Sequence, residues 1–435
     1  MKPFLSVIIT FLLISDLTAM ERKPEMENRR PRLRYVDVIP VDTEQGPMVA
    51  LRDPMGLADE VVVVSREALF VLQYLDGHRT TEEIRAEFEK QLGVKLEKKV
   101  LDQLLKHLDE HYYLDNERVK KRKQALAKSM LDAKVCVAAH AGISYPAEKE
   151  ALHRQLQDFF KDQKGAGLPQ GVNGLATPVG LIAPHIDLRI GGPTYTYAYR
   201  RLAEAPPADV YVILGTGHAG VTGLYSVLPL DFQTPLGRAK VDTLFIRRLQ
   251  ENCHHEIFND IFLHKSEHTI EFQVVFLQQI LGNRPFKIVP ILCGFSYHIF
   301  AYPTFSKERE IVHDFTRALR ETIASYPGRV TVIASVDLAH VGPRYGEKEM
   351  PDASFLQKVK QADFQALENV KKVDAEGWNA AISAIEDRYR ICGYSPIYTL
   401  LASVPATHGE ILSYQQGLMD DNKSFVSYCS GVLYK

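Results

Sequence analysis

Val179-Gly-Leu-Ile-Ala-Pro-His-Ile-Asp187, running on into Leu188-Arg-Ile-Gly-Gly192, is the stretch that decides the fold. Its first five residues form an apolar run with turn signals on both sides, which predicts a short buried strand. Pro184 ends that strand, and His185 and Asp187 follow at once. Ligand sites of open α/β sheets lie just beyond the carboxyl ends of the strands. The segment therefore indicates either a functional site or a structural His beside an Asp that caps the next helix.

Length and composition describe a globular protein with more than one domain. A chain of 435 residues is too long for one ordinary hydrophobic core. Its 46% hydrophobic and 24% charged residues are typical of folded globular domains, and the net charge of −2 is close to zero. No long basic block or Lys/Arg stripe is present, so we predict no nucleic-acid partner.

The cysteines and the N-terminus give different indications of the compartment. The five cysteines have no spacing typical of a zinc ribbon, a redox CxxC pair or a disulfide framework, which favours a reduced, cytoplasmic protein. However, residues 1–19 have the layout of a secretory signal, with Lys2 before the apolar run 4–14. Leu17 is unfavourable in a cleavage box, and Met20 offers a second start. Export and a misassigned start both remain open.

Residues 30–118 are predicted to form a small α+β domain. Short strand candidates at 34–39, 48–52 and 60–64 precede a helix over 66–75 that Ser65 is placed to cap. Thr80-Thr-Glu-Glu83 is a capping box for a second helix that reaches about Gln91. Leucines at helical spacing predict a third helix, and 111–114 could close the domain as a β-wing.

The motifs LDGHRTTEEI and VLDQLLKHLDEHYYLD, in this order of elements, resemble those of PqqD-like winged-helix domains. The resemblance implies binding of leader peptides or partner proteins beside radical SAM enzymes. Residues 119–135 are strongly charged and helix-prone and are predicted to be a linker helix. The predicted organisation is an N-terminal segment 1–29, the winged-helix domain 30–118, the linker 119–135 and a large domain 136–435.

Apolar runs and amphipathic stretches alternate through the large domain. Strands are predicted near 210–214, 286–292 and 329–335, with helices at 272–281 and 308–325 between them. Further helices are expected near 352–369 and 375–386, and closing strands at 411–416 and 425–433. This alternation predicts an α/β fold, with a mostly parallel sheet covered by helices on both faces.

Three predicted strands each end in a loop that contains a histidine: His185, His218 and His340. One such residue is usually structural, whereas three at one sheet edge favour a site. Histidine is the commonest neutral metal ligand and the usual acid–base group near neutral pH. Asp337 lies three residues before His340 and could share its side of the loop.

Two further segments carry candidate site residues. Glu267, His268 and Glu271 open the helix after residue 266, on neighbouring faces. Cys392, just before Gly393, is either a soft metal ligand or nucleophile, or a buried structural thiol.

The blocks HAGISYP, APHIDLRIGG, LGTGHAG, EHTIEF, SVDLAH and CGYSPI occur in the order typical of the Memo family. They resemble in particular the members called AmmeMemoRadiSam system protein B, over residues 136–435. That resemblance implies a fold like the class III, non-haem-iron extradiol dioxygenases, with His185, His218 and Cys392 as the metal set. It also places Asp337 and His340 beside that metal. We accordingly predict His340, Asp337, His268 and Glu271 as catalytic residues.

A soft thiolate in the ligand set favours iron or copper over magnesium or calcium, and it also puts dioxygenase chemistry itself in doubt. The chain departs from the family pattern at 186–188, where Ile-Asp-Leu replaces Ala-Gly-Tyr, and at Gln273, where His is common. Two functions stay open: a metal-dependent oxidoreductase, and a non-catalytic adaptor that binds a peptide or protein. A small-molecule ligand fits either function. The resemblance implies a radical SAM enzyme and an AMMECR-type protein as partners.

Overall fold

The computed structural model describes residues 30–44, 46–58, 60–172 and 176–435. Within it the chain divides into two compact units at Lys128/Ser129. The first unit contains β1 (Asp37–Thr43), β2 (Gly46–Arg52), β3 (Val62–Ser65), α1 (Ala68–Leu72), α2 (Thr81–Leu92) and α3 (Lys98–Glu110). The helix α4 (Glu117–Ala133) includes the point of division.

The first unit packs a three-stranded antiparallel sheet, in the order β1-β2-β3, against its helices. Alternate strand residues face the helices, and Leu51, Val62 and Val64 join Ile84 and Leu108 in one apolar core. The capping box of α2 is formed as predicted, with reciprocal hydrogen bonds between Thr80 and Glu83. This arrangement buries one face of each element and is an α+β unit.

Two predicted elements of this unit differ in the structure. The helix expected over 66–75 is the short α1, because beyond Leu72 the backbone continues in tighter turns, in which Tyr74 N–H donates to the Val71 carbonyl and Leu75 N–H to the Leu72 carbonyl. In the expected wing, only an isolated bridge between Leu33 and Leu114 is formed. Winged-helix character therefore stays a prediction.

The second unit alternates strands and helices. Its strands are β4 (Val135–Val137), β5 (Gly180–Ala183), β6 (Val210–Thr216), β7 (Tyr225–Val227), β8 (Asp231–Thr234), β9 (Gly237–Val241), β10 (Lys287–Cys293), β11 (Val330–Ser335), β12 (His340–Val341), β13 (His408–Leu418) and β14 (Phe425–Tyr434). Its helices are α5 (Lys149–Lys161), α6 (Leu188–Ala203), α7 (Thr243–Asn252), α8 (His268–Leu281), α9 (His298–Ala301), α10 (Ser306–Ser325), α11 (Ala353–Lys371), α12 (Ala375–Ser383) and α13 (Tyr394–Ser403).

Among the described residues of this unit, eleven strands form one sheet, in the order β12-β14-β5-β11-β6-β10-β9-β8-β4, with β13 on β14 and β7 on β10. The four central strands β5, β11, β6 and β10 are parallel to one another. Antiparallel pairs flank them, such as β14 with β5 and β8 with β9. The predicted fold class, a mostly parallel sheet flanked by helices, is confirmed for this unit.

Helices cover both faces of the central strands. On one face Leu214 of β6 belongs to the same apolar core as Phe315 of α10 and Ile397 of α13. On the other face Gly215 lies against α8, where a Cβ atom would meet Thr269 Oγ1 at 2.5 Å. Glycine at this position lets the first turn of α8 approach the end of β6 closely.

The prediction about residues 1–19 concerns a segment outside the described residues. Across the ranges that are described, no helix is both long enough and apolar enough to cross a membrane.

Candidate metal centre

Three neighbouring parallel strands bring their carboxyl ends to one edge of the sheet. In the order β5-β11-β6, the residues that follow them include His185, Asp337 and His218, respectively. The N-terminus of α13 brings Cys392 to the same edge, because the Cys392 carbonyl accepts a hydrogen bond from Thr216 Oγ1 at 3.2 Å. Gly393 then donates its N–H to the Asp337 carbonyl at 2.9 Å. A Cβ atom at Gly393 would lie 2.6 Å from that oxygen, so glycine is needed there.

His185 is buried, with 2% of its surface exposed. Its Nδ1 lies 3.0 Å from the Ser335 carbonyl, an acceptor, so Nδ1 carries the proton and Nε2 keeps its lone pair. Burial, together with the nearby imidazoles of His218 and His268, lowers the pKa of His185 well below its usual value. The ring is therefore neutral at neutral pH, which is the form that binds metals.

Cys392 places its Sγ 3.2 Å from Nε2 of His185. Burial raises the pKa of this thiol, and the nearby His218 acts in the opposite direction without cancelling the rise. In the metal-free protein the thiol thus keeps its proton at neutral pH. A bound cation would displace that proton, because only the thiolate is a good ligand.

His185, His218 and Cys392 each offer one donor atom to a cluster in which all donor atoms lie within 4.8 Å of one another. The two imidazole rings are 5.0 Å apart between centroids. Two imidazoles and one thiol suit zinc, copper or iron better than magnesium or calcium, which prefer oxygen. Both rings have their Nδ1 occupied by protein acceptors, so Nε2 of each ring is the atom available to an ion, directly in neutral His185 and after loss of a proton in His218. The residues present therefore fit a transition metal.

His218 is held by Glu267, a candidate site residue that the sequence predicts neither as a metal ligand nor as a catalytic residue. The carboxylate of Glu267 lies 3.2 Å from Nδ1 of His218 and 3.0 Å from its backbone nitrogen. Burial alone would lower the pKa of His218, but the charge and hydrogen bond of Glu267, together with the neighbouring Cys392, outweigh burial and raise that pKa well above the usual value. Burial opposes ionisation of Glu267 too, yet His218 holds the pKa of Glu267 well below its usual range.

His268 forms a second cluster with Glu267 and His218, again with donor atoms within 4.8 Å. Its Nδ1 lies 3.1 Å from Oε1 of Glu267, and its ring stacks on His218 at 5.2 Å. The side chains of His218 and His268 are 39% and 29% exposed, whereas His185 is almost fully enclosed. A ligand would therefore approach from the side of these two rings.

Asp337 and His340, which the sequence places on one side of a loop, make separate contacts: Asp337 faces His185, and His340 faces the Leu338 carbonyl. Asp337 Oδ1 accepts hydrogen bonds from the backbone N–H groups of His185 and Ile186, and Oδ2 lies 3.6 Å from Nε2 of His185. Burial raises the pKa of Asp337 to about 7. The ring of His340 is instead oriented by the Leu338 carbonyl, 3.0 Å from its Nδ1. Burial lowers the pKa of His340 to about 4. Within the described ranges, His340 belongs to neither donor cluster.

Glu271 and Gln273 have structural contacts. Glu271 accepts hydrogen bonds from the backbone N–H groups of Ala139 and His140 and from the Tyr145 hydroxyl, so it anchors the HAGISYP segment to α8. Gln273, fully buried, donates to the Pro184 carbonyl at 2.7 Å and to Ser335 Oγ at 2.8 Å. It thereby fixes the strand ends on which His185 depends, and it does not face a ligand.

These features define a class: α/β proteins that hold a His/His/Cys cluster at the carboxyl edge of a parallel sheet. Comparison of the sequence with known families agrees, since the profile described as "Memo-like protein" matches residues 137–432. The chain belongs to this Memo-like family.

Three relatives show how the match is distributed along the chain. A MEMO1 family protein of Aquifex aeolicus is 28% identical over 408 residues, covering 93% of this chain and 100% of the relative. One from Pyrococcus furiosus is 30% identical over 315 residues, covering 68% of this chain and 98% of the relative. One from Methanopyrus kandleri is 28% identical over 283 residues, covering 63% and 90%. The Aquifex match is longer than the Memo-like region, whereas the other two matches are about as long as that region.

The division into two units predicts that residues 129–435 alone fold and bind metal with an affinity within a few-fold of the full chain. The physical reason is that all donors of both clusters lie in the second unit, which has its own core. The measurement is a metal titration of the two proteins side by side, with circular dichroism to check folding. A folded second unit that binds metal far more weakly than the full chain would contradict the prediction.

Proposed function

We propose that this protein binds iron or copper through His185, His218 and Cys392 and acts as an oxidoreductase related to the extradiol dioxygenases. The observation that carries the proposal is the convergence of the three donors within 4.8 Å. Their geometry supports it further, because each imidazole is fixed by its Nδ1 and turns Nε2 away from its protein acceptor. Such outer partners orient metal-binding histidines in many proteins.

The residues around the cluster have separate proposed roles in proton transfer and substrate entry. Once bound, a redox-active ion would supply electron transfer to or from a substrate held beside it. Asp337 lies next to His185 and, with a pKa raised to about 7 by burial, can hold or release a proton near neutral pH. His268 stands at the exposed side, where a substrate would enter. His340, with a pKa lowered to about 4, serves better as a proton acceptor than as an acid.

The proposal extends to partners. The resemblance of residues 136–435 to AmmeMemoRadiSam system protein B supports work beside a radical SAM enzyme and an AMMECR-type protein. The PqqD-like resemblance of residues 30–118 supports capture of a peptide in the same pathway. The thiolate in the ligand set distinguishes this centre from the two-His-and-Glu set of the dioxygenases, so the reaction proposed is oxidation or reduction in the wider sense.

His185→Ala should abolish stoichiometric metal binding. The variant removes a donor at the centre of the cluster and leaves the Cys392 thiol without its imidazole neighbour. The measurement is metal content after anaerobic purification and reconstitution with Fe(II) or Cu(I). His298→Ala is the matched control, because His298 is exposed and its ring contacts Ser296 Oγ. Equal metal content in wild type and His185→Ala would refute the proposed site.

The alternative is a non-catalytic adaptor, and one observation favours it. β3 lies at an edge of the small sheet, and Val61, just before it, and Val63, within it, are 59% and 45% exposed. An extended peptide could pair with such an edge through its backbone. Metal analysis separates the two functions: a wild-type protein that binds neither iron nor copper would leave the adaptor as the better account.

A further inference from the structure

We propose that Glu267 is the positioning residue of the metal centre: a single buried carboxylate that aims His218 at the ion and His268 at the ligand. This inference rests on the proposed function and adds a residue to it. It also assigns different roles to two glutamates that lie one helical turn apart, Glu267 and Glu271.

The first argument is the number of donors that meet on one carboxylate. Glu267 precedes α8 as its N-cap, and its side chain accepts the N–H of Thr269. The same carboxylate faces the backbone nitrogen of His218, Nδ1 of His218 and Nδ1 of His268, all within 3.2 Å. An N-cap alone would need only a backbone contact. The extra contacts are with imidazoles at the candidate centre.

The second argument is what these contacts do to the rings. A carboxylate can only accept, so a hydrogen bond from Nδ1 fixes the tautomer of His218 and leaves Nε2 without a proton in the neutral ring. The backbone contact holds the same residue from a second direction. His268 receives the same Nδ1 constraint, and its ring stacks at 5.2 Å and 8° on that of His218. The two rings are therefore set as a parallel pair, one in the cluster with Cys392 and one outside it.

The third argument explains how the sequence brings Glu267 there. The first turn of α8 reaches the end of β6 because Gly215 has no side chain to meet Thr269 and Ile270. Thr269 Oγ1 then donates to the Thr216 carbonyl at 3.1 Å. Gly215 of LGTGHAG and Glu267 of EHTIEF therefore act together. Gly215 lets the start of α8 pack against the end of β6, and this packing brings Glu267 to His218.

Cobalt(II) titration of the full chain tests this role, because thiolate–cobalt charge-transfer absorption reports Cys392 and the d–d bands report the coordination geometry. Glu267→Gln should weaken Co(II) binding about 10- to 100-fold, as loss of an outer partner does elsewhere, and shift the d–d bands. Glu267→Asp, which keeps the charge, should recover part of both.

Glu271→Gln is the matched control. Glu271 is also buried on α8 and also accepts three hydrogen bonds, but from Ala139, His140 and Tyr145 instead of the centre. The Glu271→Gln variant should bind cobalt with an affinity within a few-fold of wild type and with unchanged d–d bands. Thermal unfolding is measured for every variant. Wild-type affinity and bands in Glu267→Gln, or equal losses in both Gln variants, would overturn the positioning role and leave the metal site standing. A wild type without the thiolate band would overturn the proposed function and this inference together.

Discussion

Cys392→Ser should lose the thiolate–metal charge-transfer band completely and weaken Cu(I) or Co(II) binding by more than the roughly 10- to 100-fold typical of losing an outer partner. The substitution keeps the size of the side chain but exchanges a soft donor for a hard one, which suits copper poorly. It also removes the group whose Sγ lies 3.2 Å from Nε2 of His185. Optical titration and competition with a chelator of known affinity measure both effects.

Cys136→Ser is the control for a general effect of replacing a buried thiol. Cys136 is 2% exposed, and its Sγ donates to the His264 carbonyl at 3.6 Å, a role that a hydroxyl can fill. Its thiol lies in neither donor cluster found among the described residues. The Cys136 variant should keep the band and the affinity of the wild type. A Cys392→Ser protein that retains the charge-transfer band would show that another thiol binds the ion.

Local sequence signals predicted the parts of the fold that depend on local physics. The apolar run before Pro184 is a buried strand, and Thr80 and Glu83 form the predicted capping box. The helix predicted over 375–386 ends earlier, at Ser383, and Glu386 and Asp387 beyond it take left-handed backbone angles. A side chain in that conformation needs tertiary support, which no local pattern reveals. The short strands β7, β8 and β9 were missed because their pairing partners, not their composition, define them.

The sequence predicts which loops meet at the site. It does not predict which side-chain atoms of those loops face each other. Histidines after parallel strands share a sheet edge, which predicts that His185, His218 and His340 lie together. Among the described residues His185 and His218 share a donor cluster, and His340 does not join it. The conformation of the turn after β11 decides whether Asp337 faces His340 or His185. In that turn Nδ1 of His340 contacts the Leu338 carbonyl, and Asp337 faces His185. The sequence does not reveal the role of Glu267 for a similar reason. A glutamate before a helix is usually only a cap, and Glu267 reaches His218 because Gly215 lets the start of α8 pack closely against the end of β6.

Metal binding to the wild type should weaken by roughly 100-fold for each unit that the pH falls between about pH 8 and 7, because about two protons must leave when the ion binds. The direction of this pH dependence follows from which ligand residues carry a proton before the metal binds. The pKa of Cys392 is raised by burial, and that of His218 is raised by Glu267 and Cys392 together against the effect of burial, so both groups hold a proton near neutral pH. Burial and its neighbouring imidazoles lower the pKa of His185, so His185 contributes none.

The slope of log affinity against pH measures the number of protons released when the metal binds. Two variants show which residues release them. His340→Ala should keep both slope and affinity within a few-fold of wild type, because His340 lies in neither donor cluster and its pKa is lowered by burial to about 4. Glu267→Gln should reduce the slope toward one proton, since loss of the carboxylate removes the charge that keeps His218 protonated. Below about pH 7 the wild-type slope should steepen, because Asp337, with a pKa near 7, then takes up a proton beside His185. A wild-type slope near zero over this range would mean that Cys392 and His218 do not bind the ion together.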